Sequence, residues 1–229
     1  MKSTPLEFTG AEGNRIAADV WDGRGHPVLF LHGGGQTRRA WDMTAKRVAD
    51  AGMRAITVDL RGHGESEWVS SGNYTFADYG ADAAAIVRQT AERYRAAPSA
   101  VGASLGGLSS LIAELHHGPL LDSLVLVDIT PRMDVGGVAR IQSFMGAQME
   151  EGFGSLEEAA DAIAAYMPHR KRPRSLDGLR KNLRLDADGR YRWHWDPAFM
   201  KSERNINCGA REAMERLLAD LPRLDLPVL

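Results

Sequence analysis

The first half of the chain alternates short apolar runs with stretches whose apolar residues recur every three or four positions. Leu6 to Thr9 and Arg15 to Trp21 read as strands joined by a turn at Gly10 to Asn14. The run PVLFL (27–31) is apolar throughout and leads into glycines, as a strand buried on both faces does. Ala40 to Ala51 reads as a helix stopped by Gly52, and RAITVDL (54–60) is a second buried strand closed by the turn RGHGES. Thr75 and Asp78 supply an N-terminal cap for a helix running to about Arg95, with Pro98 just beyond. After the short strand SAVGAS, the residues Leu108, Leu111, Ile112 and Leu115 mark one face of a helix that Gly118 ends. DSLVLVDI (122–129) is another buried strand. Strands alternating with helices of this length predict parallel βαβ units and an open α/β sheet.

From Pro131 the pattern changes. Val138 to Glu151 and Leu156 to Met167 read as helices, the second opened by a Ser155–Glu158 capping box and stopped by Pro168. DADG (186–189) reads as a turn, RYRWHW (190–195) as a short strand and Ala210 to Leu221 as a last helix. This stretch holds no buried-strand run, so it reads as a helical insertion on the sheet. The expected division is a core over 1–130, a helical cap over 131–221 and the opening of a further core strand over 222–229.

Composition excludes whole classes. With 229 residues, 44% apolar and 25% charged, the chain can bury a sizeable core and is neither disordered, fibrous nor a disulfide scaffold. A net charge of -2 creates no field toward nucleic acid or an anionic membrane, and a lone cysteine, Cys208, excludes an internal disulfide. The first ten residues carry no apolar h-region and no apolar run is long enough to span a bilayer, so a soluble, cytoplasmic protein is expected. HRKRPR (169–174) reads as a solvated loop rather than a nucleic-acid patch. DADG lacks the later ligand positions of a calcium loop, and HGGGQTRR lacks the Lys-Ser/Thr of a phosphate loop. No metal or other cofactor is therefore expected, and the composition leaves the oligomeric state open.

The candidate chemistry lies in two glycine-rich turns. Gly102-Ala103-Ser104-Leu105-Gly106 sits between a strand and a helix, the setting in which a sharp turn presents a serine hydroxyl and only small neighbours fit. The incidental alternative is a glycine-rich βα turn. His32-Gly33-Gly34-Gly35 follows the first buried strand, and acyl transfer needs two N–H donors where a carbonyl oxygen becomes an oxyanion. The amides of Leu105 and Gly34 are the expected pair, against the alternative of a tight turn that merely needs glycine.

HGGG after one strand, DLRGHGES after the next and VGASLGG after the third resemble the α/β-hydrolase superfamily, in that family's order, over roughly the first 130 residues. GRYRWHWDPAF (189–199) resembles a cap segment of its esterase-like and epoxide-hydrolase-like members. The resemblance implies an α/β-hydrolase sheet with a helical cap. It further implies a serine nucleophile at Ser104, forming an acyl-enzyme with a carboxylic ester or related small-molecule acyl substrate. Serine rather than aspartate at 104 disfavours alkyl-enzyme chemistry.

The family's triad runs Ser, Asp or Glu, then His, and the usual acid and histidine both fall beyond Leu229. The chain is therefore expected to be the N-terminal portion of a longer hydrolase, with weak or no turnover of its own. Asp128 is the acid candidate because some relatives place the acid after this strand; its alternative role is to cap the turn into Thr130 and Pro131. Six of the seven histidines read as something other than the base: His32 and His63 as structural, His116 and His117 at the end of a helix, His169 in the basic loop and His194 in the cap. Trp193 and Trp195, with Phe199, Met145 and Met149, suggest an apolar substrate wall or simple cap packing. The competing reading of the whole chain is a catalytically dead hydrolase fold that binds a small ligand or partner under its cap.

Overall fold

The computed structural model describes residues 2–132, 134–168 and 175–229. Strands β1 (Ser3–Thr9) and β2 (Arg15–Trp21) form an antiparallel hairpin. Strand β3 (Pro27–Leu31) leads through a one-turn 3₁₀ segment and helix α1 (Asp42–Asp50) to β4 (Arg54–Val58). Helix α2 (Phe76–Tyr94) joins β4 to β5 (Ser99–Ala103), and α3 (Leu105–His117) joins β5 to β6 (Ser123–Val127). The sheet order is β1-β2-β4-β3-β5-β6, antiparallel as far as β4 and parallel from there. Residues 227–229 then hydrogen-bond along the outer edge of β6, with Leu124 N–H on Pro227 O at 2.9 Å and Leu126 N–H on Leu229 O at 2.8 Å.

Side-chain alternation along β3 explains the layers. Val28 and Phe30 pack on the α1 side with Trp21, Ala45 and Ala55, whereas Leu29 and Leu31 join Ile56, Val58 and the apolar faces of α2 and α3. Leu29, Leu31 and Ile56 are almost wholly removed from water, each contributing about 1.5–3 kcal/mol of transfer free energy. The Thr75–Asp78 capping box opens α2, and Arg95 in the left-handed conformation closes it.

Between β6 and residue 227 lie α4 (Val135–Gly146), α5 (Leu156–Tyr166), a small hairpin of β7 (Leu183–Leu185) and β8 (Tyr191–Trp193), α6 (Ala198–Lys201) and α7 (Ala210–Asp220). Helix α4 starts and stops earlier than the sequence pattern suggests, because Asp134 caps the amides of Gly136 and Gly137 and the chain turns after Gly146. Strand β7 escaped the sequence reading: three residues carry too little alternation to register, and only pairing with β8 defines them. DADG is the turn of that hairpin, with Gly189 at φ 80°. The HRKRPR segment lies outside the described residues. No helix among the described residues is long and apolar enough to cross a membrane.

One buried cation ties the hairpin, the turn after β4 and α2 together. Arg61 is fully enclosed, with Nε and Nη2 on the two oxygens of Asp82 at 2.7 and 2.6 Å and Nη1 on Glu12 at 2.7 Å and Asn73 O at 2.8 Å. Replacing Arg61 with Met leaves Asp82 charged and buried beside Asn14. Urea unfolding of Arg61→Met should therefore show a loss of about 3–5 kcal/mol.

Candidate active site

Strand β5 becomes helix α3 across a single residue. Ser104 takes φ 46° and ψ -114°, a region that costs a side-chain-bearing residue about 1–3 kcal/mol. The bend closes only because its neighbours lack side chains. A Cβ on Gly102 would lie 2.5 Å from Gly107 Cα, and one on Gly106 would lie 2.4 Å from Leu31 O. Ser104 is exposed, whereas every residue from Leu105 to Leu115 is buried. The start of α3, the positive end of its dipole, lies directly at the serine.

The Gly33–Gly35 loop comes up against this bend. A Cβ on Gly33 would lie 3.3 Å from Ser104 Cβ, and one on Gly34 would lie 3.9 Å from Leu105 Cδ2. Accounting for the loop's donors singles out one amide. Gly33 N–H donates to Gln36 Oε1 (3.1 Å), Gly35 N–H to His63 Nε2 (3.1 Å) and Gln36 N–H to Gly33 O (3.1 Å). Across the bend, Gly106 N–H donates to His32 O (3.1 Å) and Ser104 N–H to Val127 O (3.3 Å). Among the described residues, the Gly34 and Leu105 amides have no protein acceptor.

Two buried imidazoles hold the loops from below. His32 Nδ1–H donates to Gly33 O at 2.8 Å while its Nε2 accepts Leu60 N–H at 3.0 Å. His63 Nδ1–H donates to Arg61 O at 2.9 Å while its Nε2 accepts Gly35 N–H. Each ring is thus neutral and protonated on Nδ1. Burial, which penalises the imidazolium, pushes His32 down to about 4 and His63 down to about 3. Beneath them the Asp59 carboxylate accepts Arg38 N–H at 2.6 Å, Glu65 N–H at 2.9 Å and the Arg38 guanidinium, which also binds Asp19 and Glu65. This buried ion cluster was not legible in the sequence, because Arg38 and Asp59 are 21 residues apart and each looks like an ordinary turn residue.

Asp128 lies one strand over from Ser104. The β5–β6 register pairs Ala103 with Val127, so Ser104 and Asp128 are the residues that immediately follow the last pair of the ladder. Both have positive φ, 46° and 53°. Asp128 is exposed and makes no hydrogen bond among the described residues; the turn beyond it is closed by Thr130 Oγ1 on Arg132 O (3.1 Å).

The two tryptophans part company. Trp195 borders the glycine loop, its Nε1 being 3.8 Å from where a Gly35 Cβ would stand, and its ring meets Phe199 at 5.8 Å. Trp193 packs instead on Phe144 (5.7 Å) and Phe153 (5.3 Å) inside the helical segment. Phe199 Cζ would contact a Gly34 Cβ at 3.5 Å, and Met145 Cε stands 2.9 Å from a Gly35 Cβ position. An open cleft of about 930 Å³ lies between α4 and α5, lined by Phe144, Phe153, Tyr166 and Pro168; neither Ser104 nor the glycine loop lines it. Of the six described histidines, none hydrogen-bonds Ser104: His26 bonds Ser99 and His116 bonds Asp220, each far along the fold. His169 lies outside the described residues.

Two tests follow from this geometry. Gly106→Ala forces backbone against backbone and should lower the unfolding free energy by about 3 kcal/mol or more, measured in urea. The neutral imidazoles make stability depend on pH with a definite sign. Their folded pKa values lie below the ordinary 6.5, so the unfolded chain takes up protons first as pH falls. Their contribution is complete above pH 6.5 and declines below it, by about 2 kcal/mol per ring at pH 5. Urea midpoints at pH 7, 6 and 5 should fall in that order.

Comparison with known proteins places the chain in a family. The model of the alpha/beta hydrolase family matches residues 28–229. The esterase Rv0045c of Mycobacterium tuberculosis is 32% identical over 198 residues, 83% of this chain and 63% of the esterase. The chain thus spans less than two thirds of that relative's length. The 2-(acetamidomethylene)succinate hydrolase of Mesorhizobium japonicum is 28% identical over 93% of this chain and 84% of its own. A solved structure of the M. tuberculosis esterase superposes with a TM-score of 0.67 at 28% identity, covering 99% of this chain and 72% of that one. With a mostly parallel sheet in the order found here and a family match over most of its length, the chain belongs to the alpha/beta hydrolase family.

Proposed function

We propose that this chain carries a serine-hydrolase site for a carboxylic ester or related small-molecule acyl substrate, working through an acyl-enzyme. Ser104 Oγ gives up its proton as it adds to the carbonyl carbon, and the oxygen that gains negative charge is received by the N–H groups of Gly34 and Leu105. Collapse of the adduct breaks the carbonyl–alkoxy bond, the protonated alcohol leaving and the acyl group staying on Oγ until water releases it. The observation that carries this reading is the pair of unspent amides beside an exposed serine on a strained bend. Every other amide of the glycine loop, and Gly106 across the bend, is already bonded within the protein. Asp128, adjacent across the β5–β6 ladder, is the candidate acid of the triad. The helical segment 131–221 is a cap, and Phe199, Trp195 and Met145 form its apolar wall over the glycine loop. Relatives named for esterase and hydrolase activity point the same way.

A second reading, a hydrolase fold that binds an acyl ligand without chemistry, is favoured by one observation. No described histidine bonds the serine, so the proton on Oγ has no visible acceptor. Incubation with a fluorophosphonate probe, read by intact mass, separates the two. The expected result is slow, stoichiometric modification that Ser104→Ala abolishes. Steady-state ester turnover by this chain should stay within the roughly 10³–10⁴-fold over water that an oxyanion hole gives without its base. A folded chain that stays unmodified supports the binding reading instead.

A further inference from the structure

Residues 62–64 are laced into two different parts of the molecule. Toward the cap, Gly64 N–H donates to His194 O at 2.8 Å, Asp196 N–H donates to Gly62 O at 2.7 Å, and His63 pairs with Trp195 as an antiparallel bridge. Toward the core, the same His63 accepts the Gly35 N–H at 3.1 Å. The ring has no freedom to turn, with Nδ1–H on Arg61 O, Phe199 edge-on at 5.1 Å and His32 at 5.2 Å. The cap side is equally fixed. The Tyr74 hydroxyl donates to the buried Asp196 carboxylate at 2.5 Å, and the other carboxylate oxygen accepts Ala198 N–H at 2.9 Å. Asp196 O accepts Phe199 N–H at 2.9 Å, which sets the ring that packs on Gly34.

Three successive glycines leave the loop with broad backbone freedom, so external bonds must decide where the Gly34 N–H points. Gln36, which takes the Gly33 N–H, is exposed and belongs to the loop itself. His63 is the anchor on the following peptide, and it is attached to the cap. We propose that His63 is a positioning residue that couples cap segment 194–199 to the amide donor at Gly34. The proposal rests on the reading of Gly34 as an oxyanion donor. It makes the cap part of the machinery that orients the donor, beyond any role as a wall for substrate.

The rate constant for fluorophosphonate modification of Ser104 tests this, because an oxyanion donor moved off target slows acylation even in a folded protein. His63→Leu should lower it by roughly tenfold or more, within the range set by losing a donor outright. His63→Gln, whose side-chain oxygen reaches the place of Nε2 and can accept the Gly35 N–H, should restore most of the rate. Long-range ¹⁵N correlation on the unsubstituted chain gives an independent readout: the His63 proton should sit on Nδ1, with Nε2 an acceptor. An unchanged rate in a folded His63→Leu, or a proton on Nε2, overturns the proposal. An unsubstituted chain that never labels removes the nucleophile reading of Ser104, and the ring's protonation state alone then decides the case for His63.

Discussion

The constraint on which the site depends is the contact of three backbones at one point. Strand β5, helix α3 and the end of β3 meet so closely that no Cβ fits at Gly102 or Gly106. That close approach is what turns the chain at Ser104 into a positive-φ conformation and leaves its side chain in the open. The strain is local, and the burial of Leu105 to Leu115 along α3 offsets it. The glycines are therefore a packing requirement first, and the exposure of the serine follows from them.

Hydrogen-bond accounting carries the argument from packing to chemistry. Buried backbone donors in folded proteins are nearly always paired. Around this bend two imidazoles serve as acceptors, His63 for the Gly35 N–H of the loop and His32 for the Leu60 N–H after β4, and two amides are left unspent beside the serine. A histidine can accept an N–H only while it is neutral, and burial keeps both rings so well below pH 6. In a sequence such histidines look like candidates for a base. In the structure both lone pairs are already occupied by backbone N–H groups.

The helical segment is tied to the core by more than apolar contact. Its residues 194–196 run as an extra antiparallel partner to the turn after β4, and Tyr74 from the core holds Asp196. The cleft between α4 and α5 is lined by residues of the segment alone, without the serine or the glycine loop. What faces the glycine loop is a small set of apolar side chains, with Phe199 and Trp195 foremost.

Much of this was legible in the sequence because it is local. The βα alternation, the Thr75–Asp78 cap and the two glycine-rich turns each depend on residues within a few positions of one another, and period and turn chemistry report such features directly. The bend at Ser104 showed through its small neighbours, although contact with Leu31 is part of what closes it. The ends of α4 and the existence of β7 were read less well, since a three-residue strand is defined by its partner and not by its own pattern. Only the tertiary structure decided which tryptophan borders the site, that Asp128 stands beside Ser104, and that His63 serves as an acceptor for Gly35. Those facts depend on register across strands and on contacts between residues 28 to more than 100 positions apart, such as Gly35 with His63 or Tyr74 with Asp196, and one-dimensional periodicity contains no information at that range.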